Sequence, residues 1–430
     1  MLARALWSWS LRALLPLVFL RLWWRGRREP GYRLAWRERL GYGTTAVRPG
    51  AIWIHAVSLG ETRAAAALAE AMRALQPGVR LLLTHGTATG REAGRSLLRE
   101  GDHQCWLPYD TPGATRRFLQ RHRPSVGVLM ETEIWPNLIE RAAREQVPVV
   151  LANARLSARS ARRGRRLARL LYPAVARIEL VLAQTGDDAQ RLRDAGARAV
   201  EVCGNLKFDM TPAPAGVARG RAWRRALERP VVMMASSREG EELPLLQAWA
   251  EAPAPRPLLL LVPRHPQRFD AVADMVRDAG FSIVRRSAWG DEPDVSQRDV
   301  DVWLGDSMGE MPVYYGAADV ALLGGSFAKF GGQNLIEAAA CACPVVMGPH
   351  TFNFAQAAEN ALAERVAVRV ESLSQGVQQA IQLARDPERL QWAQRALAFA
   401  TTHRGAARRM AERVLQLAGR GERPSALREH

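Results

Sequence analysis

The chain is poor in lysine. Of its 60 basic residues only Lys207 and Lys329 are lysines, and the rest are arginine. With the abundance of alanine, this bias reads as the imprint of a GC-rich genome, and it makes a retained lysine worth checking. Cysteine is also scarce. Cys105, Cys203, Cys341 and Cys343 form no C-x-x-C pair and share no zinc-type spacing with histidine. Four cysteines in 430 residues make no disulfide framework, and a reducing compartment is the simpler expectation. An unbroken apolar run of the ~20 residues that span a bilayer is missing too. The most hydrophobic stretch, Ala5–Trp24, is interrupted by Arg12 and Arg21, which leaves Ala13–Leu20 as its longest clean segment. No A-x-A-like site follows it, so a cleaved signal peptide fits poorly.

What is present is a folding composition, 48% apolar and 24% charged, long enough for two or three domains. The formal charge of +17 is unevenly spread: residues 1–212 carry 34 basic and 18 acidic residues, whereas 213–430 carry 26 and 25. An anionic partner is therefore expected at the first half. Residues 1–28 read as a membrane anchor that lies in the interface or marginally spans it. Trp7, Trp9, Trp23 and Trp24 flank the apolar stretch, and Arg21, Arg25, Arg27 and Arg28 suit an anionic cytoplasmic surface. A buried core helix is the competing reading.

Short β-rich runs alternate with helical patterns in both halves. The strand candidates are Ile52–His55, Arg80–Thr84, Val126–Met130, Val147–Leu151, Leu180–Ala183 and Ala199–Cys203, then Val231–Ala235, Leu258–Val262, Phe281–Val284, Val300–Leu304, Val320–Leu323, Val345–Met347 and Val366–Val370. Near-continuous apolar runs of this kind suit parallel sheets covered on both faces. The expected fold is α/β, with two doubly wound Rossmann-like domains facing a cleft. The boundaries are 29–210 for the first domain, 211–220 (TPAPAGVARG from Thr211) for a linker, 221–418 for the second domain with its C-terminal helices, and 419–430 for a frayed tail. Ligands of such sheets bind beyond the carboxyl ends of the strands.

Five stretches there could carry chemistry. In IWIHAVSLGE, Ser58 and Glu61 have the spacing of a helix capping box, yet Glu61 also sits where a substrate hydroxyl could reach a general base. In ETEIWPN, Glu131 and Glu133 follow a buried strand, as a cap or as a polar pocket. Residues 155–177 hold eight arginines, among them Arg155 and Arg159, and no acid. Nucleic acid, phospholipid and a phosphorylated substrate would all suit them. GNLKFD places Lys207 after a strand, able to neutralise a phosphate or carboxylate. In GGSFAKFGGQNLIE, a glycine-rich loop with Gly331 and Gly332 feeds a helix at Asn334. It is a ready phosphate site, with Glu337 one turn in as a ribose acceptor or an N3 capping residue.

Taken together, HAVSLGE, ETEIWPNL, NARLSARS, GNLKFD, PRHP, GDSMGE, GGQN..E and GPHTFNF resemble, in order and spacing, the 3-deoxy-D-manno-octulosonic acid (Kdo) transferase family. The resemblance implies a GT-B glycosyltransferase with an N-terminal acceptor domain and a C-terminal donor domain. It would move Kdo from CMP-Kdo to a lipid A precursor at the cytoplasmic face of the bacterial inner membrane, with no metal and no cofactor beyond the donor. It makes Glu61 the general base. Ser58, Gly60, Glu131, Lys207, Arg155 and Arg159 become acceptor-side residues, and Arg264, Met308, Gly309, Glu310, Gly331, Gly332, Asn334 and Glu337 become donor-side residues. Gln333 and Ser237-Arg238 depart from the family, which often has His and Thr-His there. Other GT-B transferases, nucleotide-sugar epimerases and a non-enzymatic basic protein binding membrane or nucleic acid remain as alternatives. The strand-end acids of the basic half count against nucleic acid as a partner.

Overall fold

The computed structural model describes residues 2–43, 48–209 and 211–421. They form two compact units, one from Met1–Asp209 with Arg404–His430, the other from Met210–His403.

The first unit is built on a seven-stranded parallel sheet of β1 (Ile52–Ala56), β2 (Leu81–His85), β3 (His103–Trp106), β4 (Val126–Met130), β5 (Val149–Ala154), β6 (Leu180–Ala183) and β7 (Val200–Val202), in the order β3-β2-β1-β4-β5-β6-β7. The central strands are buried along their whole length, and that is why they read as unbroken apolar runs. Helices cover both faces. Leu68 and Met72 of Leu59–Leu75 pack on one, and Phe118, Leu138 and Ile139 on the other. The strand order reverses between β1 and β4, so their carboxyl ends open the crevice where such sheets bind ligands.

The second unit repeats the plan with β8 (Val231–Ser237), β9 (Leu258–Pro263), β10 (Ile283–Arg285), β11 (Val302–Leu304), β12 (Val320–Leu323), β13 (Val345–Met347) and β14 (Ala367–Arg369), ordered β10-β11-β9-β8-β12-β13-β14. Its switch lies between β8 and β12. Every strand expected from the sequence overlaps an observed one. β3 is an addition, an edge strand whose sequence, HQCW, is too polar and short to stand out.

Two boundaries need correction. The expected linker 211–220 is largely the start of a helix, Pro214–Arg225. Pro214 opens its first turn, and Gly220 lets it press against the helix Met311–Ala317, where a Cβ would lie 2.0 Å from the Val313 carbonyl oxygen. The last helix, Ala406–Gly421, expected with the second domain, belongs to the first unit. Met410 and Val414 join the core under β1 and β4. Asp209 accepts from the Gly405 and Ala407 amides (2.6 and 2.8 Å), and Arg413 pairs with Glu201 at 2.6 Å. Of the expected tail, 419–421 continue this helix, and 422–430 lie outside the described residues.

The helix Leu2–Arg25 is not a core helix. Leu6, Trp9, Leu17, Leu20 and Trp24 are exposed along it. Polar contacts fasten its first turns to the sheet domain: the Trp7 indole donates to Asp110 (2.9 Å), Asn137 donates to Ser8 Oγ (3.0 Å), and Arg4 pairs with Glu140. Farther along, Phe19 packs on Trp36 and Tyr109.

Candidate active site

β1 ends at Ala56, and Ser58 caps the helix Leu59–Leu75, its hydroxyl accepting from the Glu61 amide at 3.3 Å. The Glu61 carboxylate accepts from the Val57 amide (2.7 Å) and the Ser58 hydroxyl (3.0 Å). The capping function is therefore real, and it holds the carboxylate at the switch point. Burial raises Glu61 above the ordinary carboxylate range. The Val57 hydrogen bond opposes this, Glu131 adds to it, and Ser58 and Lys207 lower it.

Glu131 follows β4 in a left-handed conformation (φ 58°), which a non-glycine residue adopts only when its surroundings impose it. Its amide donates to the Ala152 carbonyl at 2.9 Å. Asn153, also left-handed (φ 52°), accepts from the Leu206 amide at 3.1 Å. Asn205 then bridges Gln184 and the Lys207 amide, at 3.1 and 3.0 Å. These bonds hold the GNLKFD loop against the ends of β5 and β6. Burial pushes the Lys207 ammonium down, Glu131 and Glu61 pull it up, and Arg155 adds to the lowering. Glu61, Glu131, Lys207 and Arg155 are thus one electrostatic cluster.

Glu133 joins them. It does not cap the following helix, whose N-cap position is Trp135. Burial pushes it up to about 7, with the Glu61 charge adding to the rise. Its Oε2 lies 4.0 Å from Nε2 of fully buried His55. Burial pushes His55 down to about 3, so it is neutral and the contact is no ion pair. Its Nδ1 sits 3.0 Å from the Thr84 hydroxyl. Sequence reasoning noticed Glu133 but left it out of the site, and it missed His55. A run of apolar residues hides a buried histidine, and nothing in the linear sequence sets Glu133 apart from Glu131.

Gly60 is exposed in the first helical turn, beside the cluster in sequence. Arg159 is exposed on Ala158–Arg165 and takes no part in the wall of the adjoining cavity, which Glu131 and Arg155 line. Arg177 finds an acid after all, Glu140 at 2.9 Å.

In the second unit, the loop after β12 folds on itself. Gly324 lies where a Cβ would come within 2.3 Å of the Ser236 carbonyl oxygen. Gly331 has φ 89°, with Phe352 and Asn353 filling the space of a Cβ. The amides of Gly325 and Phe327 donate to buried Glu241 (2.8 and 3.3 Å), and those of Gly332 and Gln333 to the carbonyls of Gly325 and Gly324 (2.9 and 3.1 Å). These four donors are already committed, which corrects the expectation that the loop amides at large would hold a phosphate. Asn334 caps the next helix by accepting from the Ile336 amide at 3.2 Å, and Glu337 is half-buried in its first turn. That helix, Leu335–Ala340, is only six residues long, so its dipole is small.

Positive charge comes instead from the ends of β8 and β9. Arg238, Arg264 and Arg268 surround His265, which burial and these three charges together push below the usual histidine range. Arg268 is tied to buried Glu242 at 3.1 Å. Arg238 donates to His265 at 3.1 Å and lies 4.4 Å from the centre of the Phe330 ring. Met308 and Gly309 form an exposed tip beyond β11. Glu310 is engaged by Arg219 and by Arg286 at 3.0 Å. A near-zero net charge over this half concealed the cationic cluster.

A family model for 3-deoxy-D-manno-octulosonic-acid transferase matches residues 34–210. The chain is 48% identical over 423 residues to the 3-deoxy-D-manno-octulosonic acid transferase of Bordetella pertussis, covering 95% of this chain and 98% of the relative. It belongs to the Kdo transferase family. The Haemophilus influenzae relative is 34% identical, covering 85% of this chain and 87% of that one. Among solved structures, a glycosyltransferase from Rickettsia africae matches with a TM-score of 0.58 at 12% identity, covering 89% of this chain and 100% of its own. A UDP-GlcNAc 2-epimerase from Neisseria meningitidis matches at 0.57 and 13%, covering 85% and 99%. Those two establish a GT-B fold and leave the chemistry to the family. In this Kdo transferase the switch-point acids lie in the half that the family model matches, and the arginine cluster lies in the other unit.

Proposed function

We propose that the chain transfers Kdo from CMP-Kdo to a sugar hydroxyl of a lipid A precursor. The first unit binds the acceptor and the second the donor. The observation that supports this most is the half-buried cluster of Glu61, Glu131, Glu133 and Lys207 at the β1/β4 switch point of a Kdo transferase family member.

A sugar hydroxyl attacks poorly until a base takes its proton. Glu61 is that base. Its oxygens are held by Val57 and Ser58, and burial with the Glu131 charge raises its basicity. The hydroxyl oxygen bonds to the anomeric carbon as the bond to the CMP phosphate breaks. Configuration inverts in this single displacement, and the phosphate leaves with both electrons. Arg264 and Arg238 face the charge that develops on it.

The N-terminal helix supports association with a membrane, which in this reading is the inner membrane at its cytoplasmic face. Contacts of Trp7 and Ser8 near its start and of Phe19 near its end lay it along the first unit, with its apolar side outward. It then rests in the bilayer interface instead of crossing the membrane.

The test is to incubate the full chain with CMP-Kdo and tetra-acylated lipid A precursor and to weigh the product. A mass gain of one or more Kdo units is expected. Failure with CMP-Kdo alongside turnover of a UDP-sugar would overturn the reading.

A further inference from the structure

Beside the acidic cluster, the first unit holds a cavity of about 480 Å³, within the ~300–1,000 Å³ range of ligand pockets. The helices Ala158–Arg165, Ala168–Val175 and Gly186–Asp194 enclose it together with the ends of β4 and β5. Its wall is mostly apolar, with Ile134, Leu151, Leu156, Leu171, Val175 and Leu192 contributing. A sugar or phosphate buried among these side chains would lose its water without finding partners. Charged side chains also line it, Glu131 and Asp194 as acids and Arg155, Arg162 and Arg165 as bases. Arg162 and Arg165 are exposed, and among the described residues no acid pairs with either. Arg191 is different. It is bound to the Leu156 carbonyl and to Asp188 at 3.2 Å, and so serves as wall.

We infer that this cavity is a subsite for one fatty acyl chain of the acceptor, with Arg162 and Arg165 meeting an anionic group of the same molecule. The inference rests on the acceptor being a phosphorylated glycolipid, as proposed above. A mostly apolar wall with arginines among its lining complements an acyl chain next to a phosphate, and the few polar groups, Thr132, Ser160, Tyr172 and Asp194, are sparse for a nucleotide base. The cavity also shares Glu131 and Arg155 with the acidic cluster, so a chain seated in it tethers its sugar next to Glu61. The acyl chain then orients the hydroxyl, and the acylation pattern becomes a determinant of specificity.

The experiment compares kcat/KM for Kdo transfer to the tetra-acylated precursor with that to its de-O-acylated form, in the full-length wild type, Ala161→Trp and Ala158→Phe. Both substitutions fill the cavity from one helix, and Ala158 is exposed enough for its variant to fold if Ala161→Trp does not. Wild type should prefer the acylated acceptor at least tenfold. A folded cavity-filling variant should lose at least tenfold of that preference, through KM. Equal use of both acceptors by wild type, or an unchanged preference in a folded variant, would overturn the subsite while leaving the transferase reading intact. Absence of Kdo transfer to either acceptor would overturn that reading and the subsite with it.

Discussion

The two units share a sheet plan but place their charge differently. In the first, carboxylates gather at the switch point although the surrounding sequence is strongly basic. In the second, arginines gather at the strand ends although the net charge is close to zero. Net charge thus describes neither site. Each sheet strains the backbone beside its candidate site residues: Glu131 and Asn153 on one, Ser236 on the other, all left-handed near a strand's carboxyl end. The difference divides the work. In the proposed mechanism, proton removal falls to the acidic cluster and holding the leaving phosphate to the arginines.

The largest effect expected from breaking this division is on turnover. Glu61→Gln keeps the capping geometry but removes the base, so kcat should fall about 10²–10⁴-fold, while stability changes by no more than about 1 kcal/mol. Initial-rate assays and a thermal melt on the same preparation check both. Arg264→Ala should act on the other side, raising KM for CMP-Kdo about 10–100-fold, the scale of a lost charge-assisted hydrogen bond. Steady-state titration of the donor reads it.

The acid limb of the pH–rate profile sharpens the picture of the cluster. Glu61 must be ionised to act, so activity falls as pH drops through its raised pKa. Glu131→Gln removes a like charge and should move that limb to lower pH, and Lys207→Met removes an opposite charge and should move it higher. Both limbs moving the same way would break the proposed coupling. The smallest effect is on docking of the N-terminal helix. Ser8→Ala strips a buried partner from Asn137 and should lower stability by about 1–3 kcal/mol without changing kcat. Denaturant titration measures it.

Most of the framework was legible because parallel strands buried on both faces leave unbroken apolar runs, as at Val126–Met130 and Val320–Leu323. Edge strand β3 lacks that signature. The helix Pro214–Arg225 hid in a stretch of Pro, Ala and Gly, where Pro214 was a helix start and Gly220 a packing contact. The return of Ala406–Gly421 to the first unit is a long-range packing choice that no local pattern carries. Glu61, Glu131 and Lys207 were found from their place after strands. The shifted protonation of Glu133 and His55 follows from burial, and the Arg238–Arg264–Arg268 cluster from strands brought side by side, neither of which a linear charge count registers.

The division of labour is tested most directly by calorimetric titration of CMP into the full-length wild type, Glu61→Gln and Arg264→Ala. The account predicts that Glu61→Gln binds CMP within about twofold of wild type and that Arg264→Ala binds it at least tenfold more weakly. Equal weakening in both variants, or normal binding by Arg264→Ala, would contradict it.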